Sequence, residues 1–337
     1  MKKICIVLGS RANYSSIKSL MTEIDLDKSF KLQLVLFNSS LLDKYGEVSD
    51  LIEKDGFEVD YKIFNLLEGE TPLTMAKSTG LALIELPTCF EKLKPDIVFT
   101  IGDRFECISI ALAASYMNIP VAHTMGGEVT GTIDESIRHA ITKLAHIHFP
   151  ASVEAKKRII LLGERPRNVF KVGCPRIDIV KNVLEEKSEI SNQHINEIGV
   201  GNQINLCDPF IILSQHPVTT EFDKSDKQMQ ISLQASSQLN IQKIVLWPNA
   251  DAGSNKVAKA IRKFRESNHR KSKMRFFKNL DLNTYIKLLD MAKCIIGNSS
   301  SGIREGNYIG TPCVNIGSRQ QKREKGKNVI DVSFDMK

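Results

Sequence analysis

The sequence of 337 residues lacks the features that define several specialised classes of protein. It has no apolar run near the roughly 18 residues that a membrane-spanning helix requires. The apolar run near its start, Ile4 to Leu8, is too short for the central region of a signal peptide. It also has no internal repeat and no low-complexity tract. These absences predict a soluble, cytoplasmic protein without a membrane partner.

Cysteine pairs are also missing. The seven cysteines show no CxxC pair and no zinc-like spacing; they stand at positions 5, 89, 107, 174, 207, 294 and 313. Reduced thiols in a cytoplasm are the simplest interpretation. The carboxylates and histidines likewise form no recognisable ligand set, so the sequence indicates no metal.

Charge is balanced apart from a modest excess of +7, within a composition that is ordinary for a globular protein. Much of this excess lies in two runs, RKFRESNHRKSKMR (262–275) and RQQKREKGK (319–327). Such runs suit an anionic partner, for example a nucleotide diphosphate or a nucleic acid, but more often they form a solvated face. We expect no nucleic acid partner.

What the chain does contain is an alternation of short apolar runs with helical patterns, which is typical of a parallel sheet covered by helices. In the first half the predicted strands are 3–9, 32–37, 96–103, 119–124 and 169–173, and the predicted helices are 14–24, 47–55, 75–93, 105–117, 135–146 and 152–163. After a polar stretch, 181–207, predicted strands resume at 210–217, 243–249, 274–279, 294–300 and 312–317. We predict two Rossmann-like domains, 1–180 and 181–337, with a cleft between them.

Polar residues follow almost every predicted strand. Ligands of open α/β sheets bind outside the carboxyl ends of the strands, which makes these residues candidates for a binding site. They are Arg11, Ser15, Asp103, Arg104 and His123 in the first half, and His216, Asn249, Ser299, Ser300, Glu305 and Arg319 in the second. Each alone also fits a structural role, such as a helix cap or a surface ion pair. Their convergence predicts a nucleotide-binding cleft.

The stretch GGEVTGTIDESIRHAITKLAH, residues 126–146, places acids directly before an apolar helix. The predicted buried stripe consists of Ile137, Ala140, Ile141, Leu144 and Ala145. Thr132 and Glu135 fit a capping box, and this arrangement puts Asp134 in the first turn. The acids either stabilise the start of the helix or face a ligand.

These motifs resemble the hydrolysing UDP-N-acetylglucosamine 2-epimerases of sialic-acid biosynthesis. The resemblance runs through GDRFE, GGEVTGTIDESIRHAITKLAH, GCP, QHPVTT, PNADAGS, GNSSSGIRE and GSRQ, in the order of that family, and covers essentially the whole chain. It implies a GT-B-like architecture and a UDP-sugar substrate. It also implies no metal or nicotinamide cofactor, and a homo-oligomer, either a dimer or a tetramer.

The reaction implied by the resemblance has two stages: UDP is eliminated to give a 2-acetamidoglucal, and water then adds to release N-acetylmannosamine. By position, Asp103 and Asp134 match catalytic carboxylates. The residues that match the UDP site are Arg11, Ser15, Arg104, His216, Asn249, Ser299, Ser300, Glu305 and Arg319.

Four features depart from the family pattern, three of them single positions. Met125 stands where the family commonly has a glutamate or a histidine, and a thioether cannot accept a proton, so Glu128, His123 or another acid takes that role, or the activity differs. Asn13 replaces a usual acid, and Ser40 a frequent histidine. Relatives also usually continue beyond Lys337 into a helix that closes the second domain.

Two other functions remain open. One is the same reaction on a UDP-2,4-diacetamido-trideoxy sugar, as in legionaminic acid biosynthesis. The other is a catalytically silent protein that binds a nucleotide sugar, an alternative suggested by Met125 and by the end of the chain at Lys337.

Overall fold

The chain folds into two α/β units, each built on one mainly parallel sheet that is covered by helices. The computed structural model describes residues 1–42, 48–186, 188–248, 251–268, 272–278 and 280–335. The first unit comprises Met1–Val129 with Ile133–Ile179, and the second comprises Thr130–Thr132 with Val180–Lys337.

The sheet of the first unit has six parallel strands in the order β3-β2-β1-β4-β5-β6. The strands are β1 (Lys2–Leu8), β2 (Phe30–Phe37), β3 (Tyr61–Ile63), β4 (Ile97–Ile101), β5 (Val121–Thr124) and β6 (Ile147–Phe149). Side chains alternate between the two faces of the sheet along each strand, and helices bury both faces. Val7 and Val35 lie in one hydrophobic cluster, whereas Ile6 and Leu8 lie in the other.

The sheet of the second unit has seven strands in the order β13-β12-β11-β8-β9-β10-β7. They are β7 (Val200–Gly201), β8 (Phe210–Ser214), β9 (Gln242–Leu246), β10 (Met274–Phe277), β11 (Cys294–Gly297), β12 (Cys313–Ile316) and β13 (Val329–Val332). The short edge strand β7 is antiparallel to β10, and the remaining pairs are parallel. Two clusters of buried apolar residues cover the faces of this sheet.

Thirteen α-helices connect the strands in the described part of the chain. In the first unit they are α1 (Arg11–Ser15), α2 (Lys18–Leu26), α3 (Val48–Lys54), α4 (Pro72–Leu93), α5 (Cys107–Tyr116), α6 (Ile133–Leu144), α7 (Val153–Leu161) and the start of α8 (Pro175–Glu185). In the second they are α9 (Asn192–Ile198), α10 (Ser225–Ser237), α11 (Ser254–Asn268), α12 (Leu282–Met291) and α13 (Glu305–Ile309). No helix in the described ranges is long and apolar enough to span a bilayer.

Two local predictions were wrong, and one segment without a predicted element contains a helix. The segment 169–173 is not a strand, since only Val169 forms an isolated bridge to His148. The polar stretch 181–207 contains α9, because Ser191 caps the helix and Ile195 is buried. The predicted helix 14–24 is two helices, α1 and α2.

The buried face of α6 also differs from the predicted apolar stripe. Ala140 is exposed, whereas Arg138 and Thr142 are buried beside Ile141. The apolar residues of this helix therefore share the interior with a polar stripe, for which the hydrophobic pattern gave no indication.

Gly297, at the end of β11, tests how tightly the second sheet is packed. Its φ is 129°, and a Cβ there would overlap the carbonyl oxygen of Ser214. We expect Gly297→Ala to lower the free energy of unfolding by about 3 kcal/mol or more, because strain and overlap combine. Denaturant unfolding monitored by circular dichroism measures this loss.

Gly310 is the matched control. Its φ is 96°, but a Cβ there would meet no atom within 4 Å. Gly310→Ala should therefore cost only the conformational penalty of about 1–2 kcal/mol. Equal losses in the two variants would contradict a packing role for Gly297.

Candidate functional site

Asn13 joins the loop after β1 to the end of β4. Its Oδ1 accepts a hydrogen bond from the Gly9 N–H at 3.2 Å, and its Nδ2 donates to the Ile101 carbonyl at 3.3 Å. Ser10 caps the short helix α1 by accepting from the Asn13 N–H. The amide at this position therefore has a structural task, for which its Nδ2 supplies a donor that a carboxylate lacks.

Arg104 is fixed by a buried carboxylate. Its Nε lies 2.7 Å from Oε1 of Glu106, which is fully buried. Gly9 makes room for this carboxylate, since a Cβ there would lie 2.8 Å from the same oxygen. The pair holds the guanidinium of Arg104 at the carboxyl end of β4, next to Asp103.

Arg138 connects the loop after β4 with the glycine loop after β5. Its guanidinium forms an ion pair with Asp103, and its Nη1 donates to the Glu128 carbonyl at 2.6 Å. Only 1% of the Arg138 side chain is exposed, against 25% of Asp103. The structure thus brings together the predicted catalytic residue Asp103 and the main chain of Glu128.

His123 is held between protein groups on both sides of its ring. Its Nε2 lies 2.8 Å from the Gly102 carbonyl oxygen, and its Nδ1 lies 3.4 Å from Oγ1 of Thr142. Complete burial lowers the pKa of His123 to about 4, so the imidazole is neutral near pH 7. In the neutral ring Nε2–H donates to the Gly102 carbonyl oxygen. His123 therefore links the end of β5 to the residue that follows β4.

Met125 packs into the core of the first sheet. It is 5% exposed, and its sulfur lies 3.7 Å from that of Cys174. Its φ is 58°, a left-handed value that few residues adopt. This position therefore provides apolar packing and no proton donor or acceptor.

The two glycines after Met125 have packing reasons of their own. A Cβ at Gly126 would lie 2.8 Å from Nδ1 of His123, and one at Gly127 would overlap the Ala155 carbonyl oxygen. Arg158 also donates to the Gly127 carbonyl. The loop thus packs closely against β5 and α7. This packing alone requires glycine at both positions, whether or not the loop contacts a sugar.

The remaining predicted residues of the first unit lie on helices α1 and α6. Asp134 is in the first turn of α6, directly after Ile133. Arg11 begins α1, and Ser15 at its end accepts a hydrogen bond from Nη1 of Arg176 at 2.9 Å.

Asn298 plays the joining role in the second unit. Its side chain accepts from the His216 N–H at 2.7 Å and donates to the His216 carbonyl at 2.8 Å. Its own carbonyl accepts from Nη1 of Arg319 at 3.2 Å. One buried residue, through its side-chain amide and its main-chain carbonyl, therefore assembles the residues that follow β8, β11 and β12.

The predicted residues Ser299, Ser300 and Glu305 follow Asn298 along the chain. Ser299 caps a single 3-10 turn, Ser300–Gly302, and its Oγ accepts from the Ser301 N–H at 3.4 Å. Glu305 begins α13 and is 2% exposed. Asn249 lies outside the described residues.

Sequence reasoning passed over three residues that organise these loops. Glu106, Arg138 and Asn298 are all buried, at 0%, 1% and 0% exposure. Arg138 had a usable signal: it follows Asp134 by four positions, which places both on one face of a helix. Asn298 and Glu106 stand within motifs that were recognised only as whole stretches.

Comparison with solved structures defines the class of the fold. The structure of a Methanocaldococcus jannaschii UDP-GlcNAc 2-epimerase in complex with UDP-GlcNAc and UDP matches with a TM-score of 0.80, over 99% of this chain and 90% of that one, at 18% identity. A Neisseria meningitidis UDP-GlcNAc 2-epimerase bound to UDP-GlcNAc matches with a TM-score of 0.78, over 94% and 83%, also at 18%. The two parallel-sheet units thus form a GT-B-like fold, as predicted.

The chain belongs to the UDP-N-acetylglucosamine 2-epimerase family, whose model matches residues 22–337. It is 35% identical to the Campylobacter jejuni GDP/UDP-N,N'-diacetylbacillosamine 2-epimerase (hydrolyzing), over 98% of this chain and 84% of the relative. It is 34% identical to the Legionella pneumophila UDP-N,N'-diacetylbacillosamine 2-epimerase (hydrolyzing), over 98% and 85%. A Neisseria meningitidis UDP-N-acetylglucosamine 2-epimerase is 29% identical over 100% and 85%.

The neutral state of His123 predicts a pH-dependent stability. Its folded pKa of about 4 lies below the ordinary value of about 6.5, so between these values the unfolded chain binds more protons. Stability is therefore lost as the pH falls below about 6.5. We expect this one residue to reduce the free energy of unfolding by about 2 kcal/mol between pH 7.5 and pH 5.

Urea unfolding of the wild type and of His123→Gln at the two pH values measures this contribution. The glutamine keeps a donor near Gly102 but does not titrate, so the variant should lose about 2 kcal/mol less than the wild type. Other histidines with lowered pKa values, His139 and His148, are common to both proteins and cancel. Identical pH dependence would show that His123 is not the titrating group.

Proposed function

We propose that this protein is a hydrolysing 2-epimerase of a UDP-linked 2-acetamido sugar. A base removes the C2 proton as the C1–O bond to UDP breaks, which gives a glycal with a C1–C2 double bond. Water then adds, its hydroxyl to C1 and a proton to the opposite face of C2, so that the free 2-epimeric sugar and UDP are released. The observation that carries this proposal is the link through Arg138 between Asp103 and the acid-bearing loop of Glu128.

We assign the proton transfers to the carboxylates of the first unit. Asp103 is partly exposed beside a buried cation, and Asp134 is half-buried in the first turn of α6. Glu128 is the third candidate, and its exposure is 8%. Positioned carboxylates of this kind suit general acid–base catalysis at a weakly acidic C–H bond.

UDP binding is proposed for cations and hydroxyls in both units. Leaving of the diphosphate needs positive charge and hydrogen-bond donors, which Arg104 and Arg319 supply from fixed positions. The other proposed contacts are Arg11, Ser15, His216, Asn249, Ser299, Ser300 and Glu305. Among these, Glu305 suits the ribose hydroxyls.

For the sugar, we favour UDP-2,4-diacetamido-2,4,6-trideoxyglucose, the substrate class named for the Campylobacter and Legionella relatives. Such a sugar has a methyl group at C6 and a second acetamido group at C4, and both are more apolar than the hydroxyls of N-acetylglucosamine. UDP-N-acetylglucosamine is the second candidate, because the Neisseria relative of 29% identity bears that name. The product would then be N-acetylmannosamine.

Proton NMR in deuterated water tests the function directly. The purified chain is incubated in parallel with the diacetamido sugar nucleotide and with UDP-N-acetylglucosamine. We expect UDP and a free 2-epimeric sugar deuterated at C2, formed faster from the diacetamido substrate. The deuterium establishes C2–H cleavage, and free UDP establishes the hydrolysing outcome.

Asp134→Asn is the control variant. It should bind UDP as the wild type does in calorimetry while losing turnover, because an amide cannot transfer the proton. Faster turnover of UDP-N-acetylglucosamine would reverse the substrate preference proposed above. Binding of UDP with no turnover of either sugar nucleotide would favour a silent binding protein.

Met125 gives a separate prediction. A glutamate at this position would be buried against Cys174 among apolar side chains, where a charge is poorly solvated. We expect Met125→Glu to lower both turnover and stability, the latter by at least about 2 kcal/mol. Thermal unfolding and the NMR assay report the two quantities.

Met125→Leu is the matched control, since it conserves volume and lacks a titratable group. Its turnover should stay within about threefold of the wild type. A large gain of turnover in Met125→Glu would contradict our interpretation and identify the site as an active site that has lost its acid.

A further inference from the structure

One face of α6 carries three polar residues at intervals of four. Asp134, Arg138 and Thr142 therefore lie above one another on the helix surface. Arg138 and Thr142 are buried, at 1% and 0% exposure, and Asp134 is half-buried. This polar stripe runs along a helix whose other buried residue, Ile141, lies in the hydrophobic core, as does Ala145 directly after the helix.

The stripe contacts the ends of two neighbouring strands. Arg138 pairs with Asp103 after β4 and donates to the Glu128 carbonyl in the loop after β5. Thr142 lies 3.4 Å from the ring of His123 at the end of β5, and its hydroxyl also lies 3.0 Å from the Arg138 carbonyl oxygen. The Asp103 carboxylate and the Glu128 main chain are thus connected to one guanidinium, and Asp134 lies one turn before it on the same helix face.

Arg275 in the second unit shows another use of a buried arginine. It is 5% exposed, and its guanidinium donates to the main-chain carbonyls of Ile195, Asn196, Gly199, Gly201 and Asn202. These bonds hold the end of α9 and β7. Arg138 differs because one of its partners is the carboxylate of Asp103, which keeps a quarter of its surface exposed.

The Asp103 carboxylate is paired with a buried cation, which restricts its orientation, while a quarter of its side-chain surface stays accessible. Loss of the Asp103 carboxylate would remove this counter-charge from a guanidinium that is almost wholly buried. The same guanidinium restrains the Glu128 main chain. Fixed geometry at both groups is what proton transfer at a sugar carbon requires.

We infer that Arg138 is the positioning residue of the active site, which acts through Asp103 and the Glu128 loop and does not itself contact the substrate. The inference rests on the proposed function. It adds a residue whose loss lowers turnover much more than it weakens substrate binding.

Steady-state kinetics of Arg138→Met and Arg138→Lys test this role. We expect kcat of Arg138→Met to fall at least about 100-fold, because misplacement of about 1 Å has such an effect. The Michaelis constant should change by less than about threefold, since Arg138 binds no part of the substrate. Arg138→Lys keeps the charge and should recover part of kcat, to within about tenfold of the wild type.

Arg275→Lys is the control for a purely structural arginine. It should lower the melting temperature and leave kcat unchanged. If Arg138→Lys behaves in the same way, with reduced stability and unchanged kcat, the inference is overturned. Should Arg138→Met fail to fold, the lysine variant alone decides between these results.

A double variant identifies the route of the effect. Arg138→Lys added to Asp103→Asn should lower kcat by less than about threefold beyond Asp103→Asn alone, because residues that act as a unit are not additive. Fully additive losses would show that Arg138 acts independently of Asp103. Absence of turnover in the wild type with both sugar nucleotides would overturn the proposed function and, with it, this role of Arg138.

Discussion

The burial of one guanidinium, that of Arg138, constrains the arrangement of the first unit at the carboxyl ends of its strands. A charge almost wholly removed from water costs several kcal/mol unless partners surround it. The Asp103 carboxylate and the Glu128 carbonyl meet that requirement. Because these partners belong to different loops, the loops can take few other positions once α6 has docked.

In the second unit a neutral buried group, the side chain of Asn298, holds the loops at the carboxyl ends of the strands. The side-chain amide of Asn298 forms two hydrogen bonds with the main chain of His216, and the main-chain carbonyl of Asn298 accepts from Arg319. Parallel strands end with main-chain groups that have lost their neighbours in the ladder, and a buried amide satisfies several of them at once. Both units therefore hold residues of the proposed site through a buried polar residue that bears no proposed catalytic role.

The sequence predicted the architecture well, because buried parallel strands are short apolar runs between helical patterns. The GT-B-like fold was confirmed, and nine of the ten predicted strands overlap an observed one. The segment 169–173 failed because apolar residues at alternating positions also occur in extended loops. Strands of two or three residues, such as β7, are too short for a periodic signal.

The site was less predictable for a different reason. Hydrophobic patterns locate side chains that are buried because they are apolar. They cannot locate polar side chains that are buried because they pair with one specific group. Arg138 and Glu106 belong to this second kind, and so their positions emerged only with the tertiary structure. The structural task of His123 likewise depends on Thr142, nineteen positions later along the chain.

The spacing of the polar stripe on α6 also limits how this chain can be altered. A helix advances about 100° per residue, so one inserted or deleted residue between Asp134 and Arg138 would turn the guanidinium away from Asp103. Substitutions within the helix leave that alignment intact, but changes of length do not. Chimaeras that exchange segments with relatives of other sugar preference should therefore transfer Gly126 to Thr142 as one piece of unchanged length.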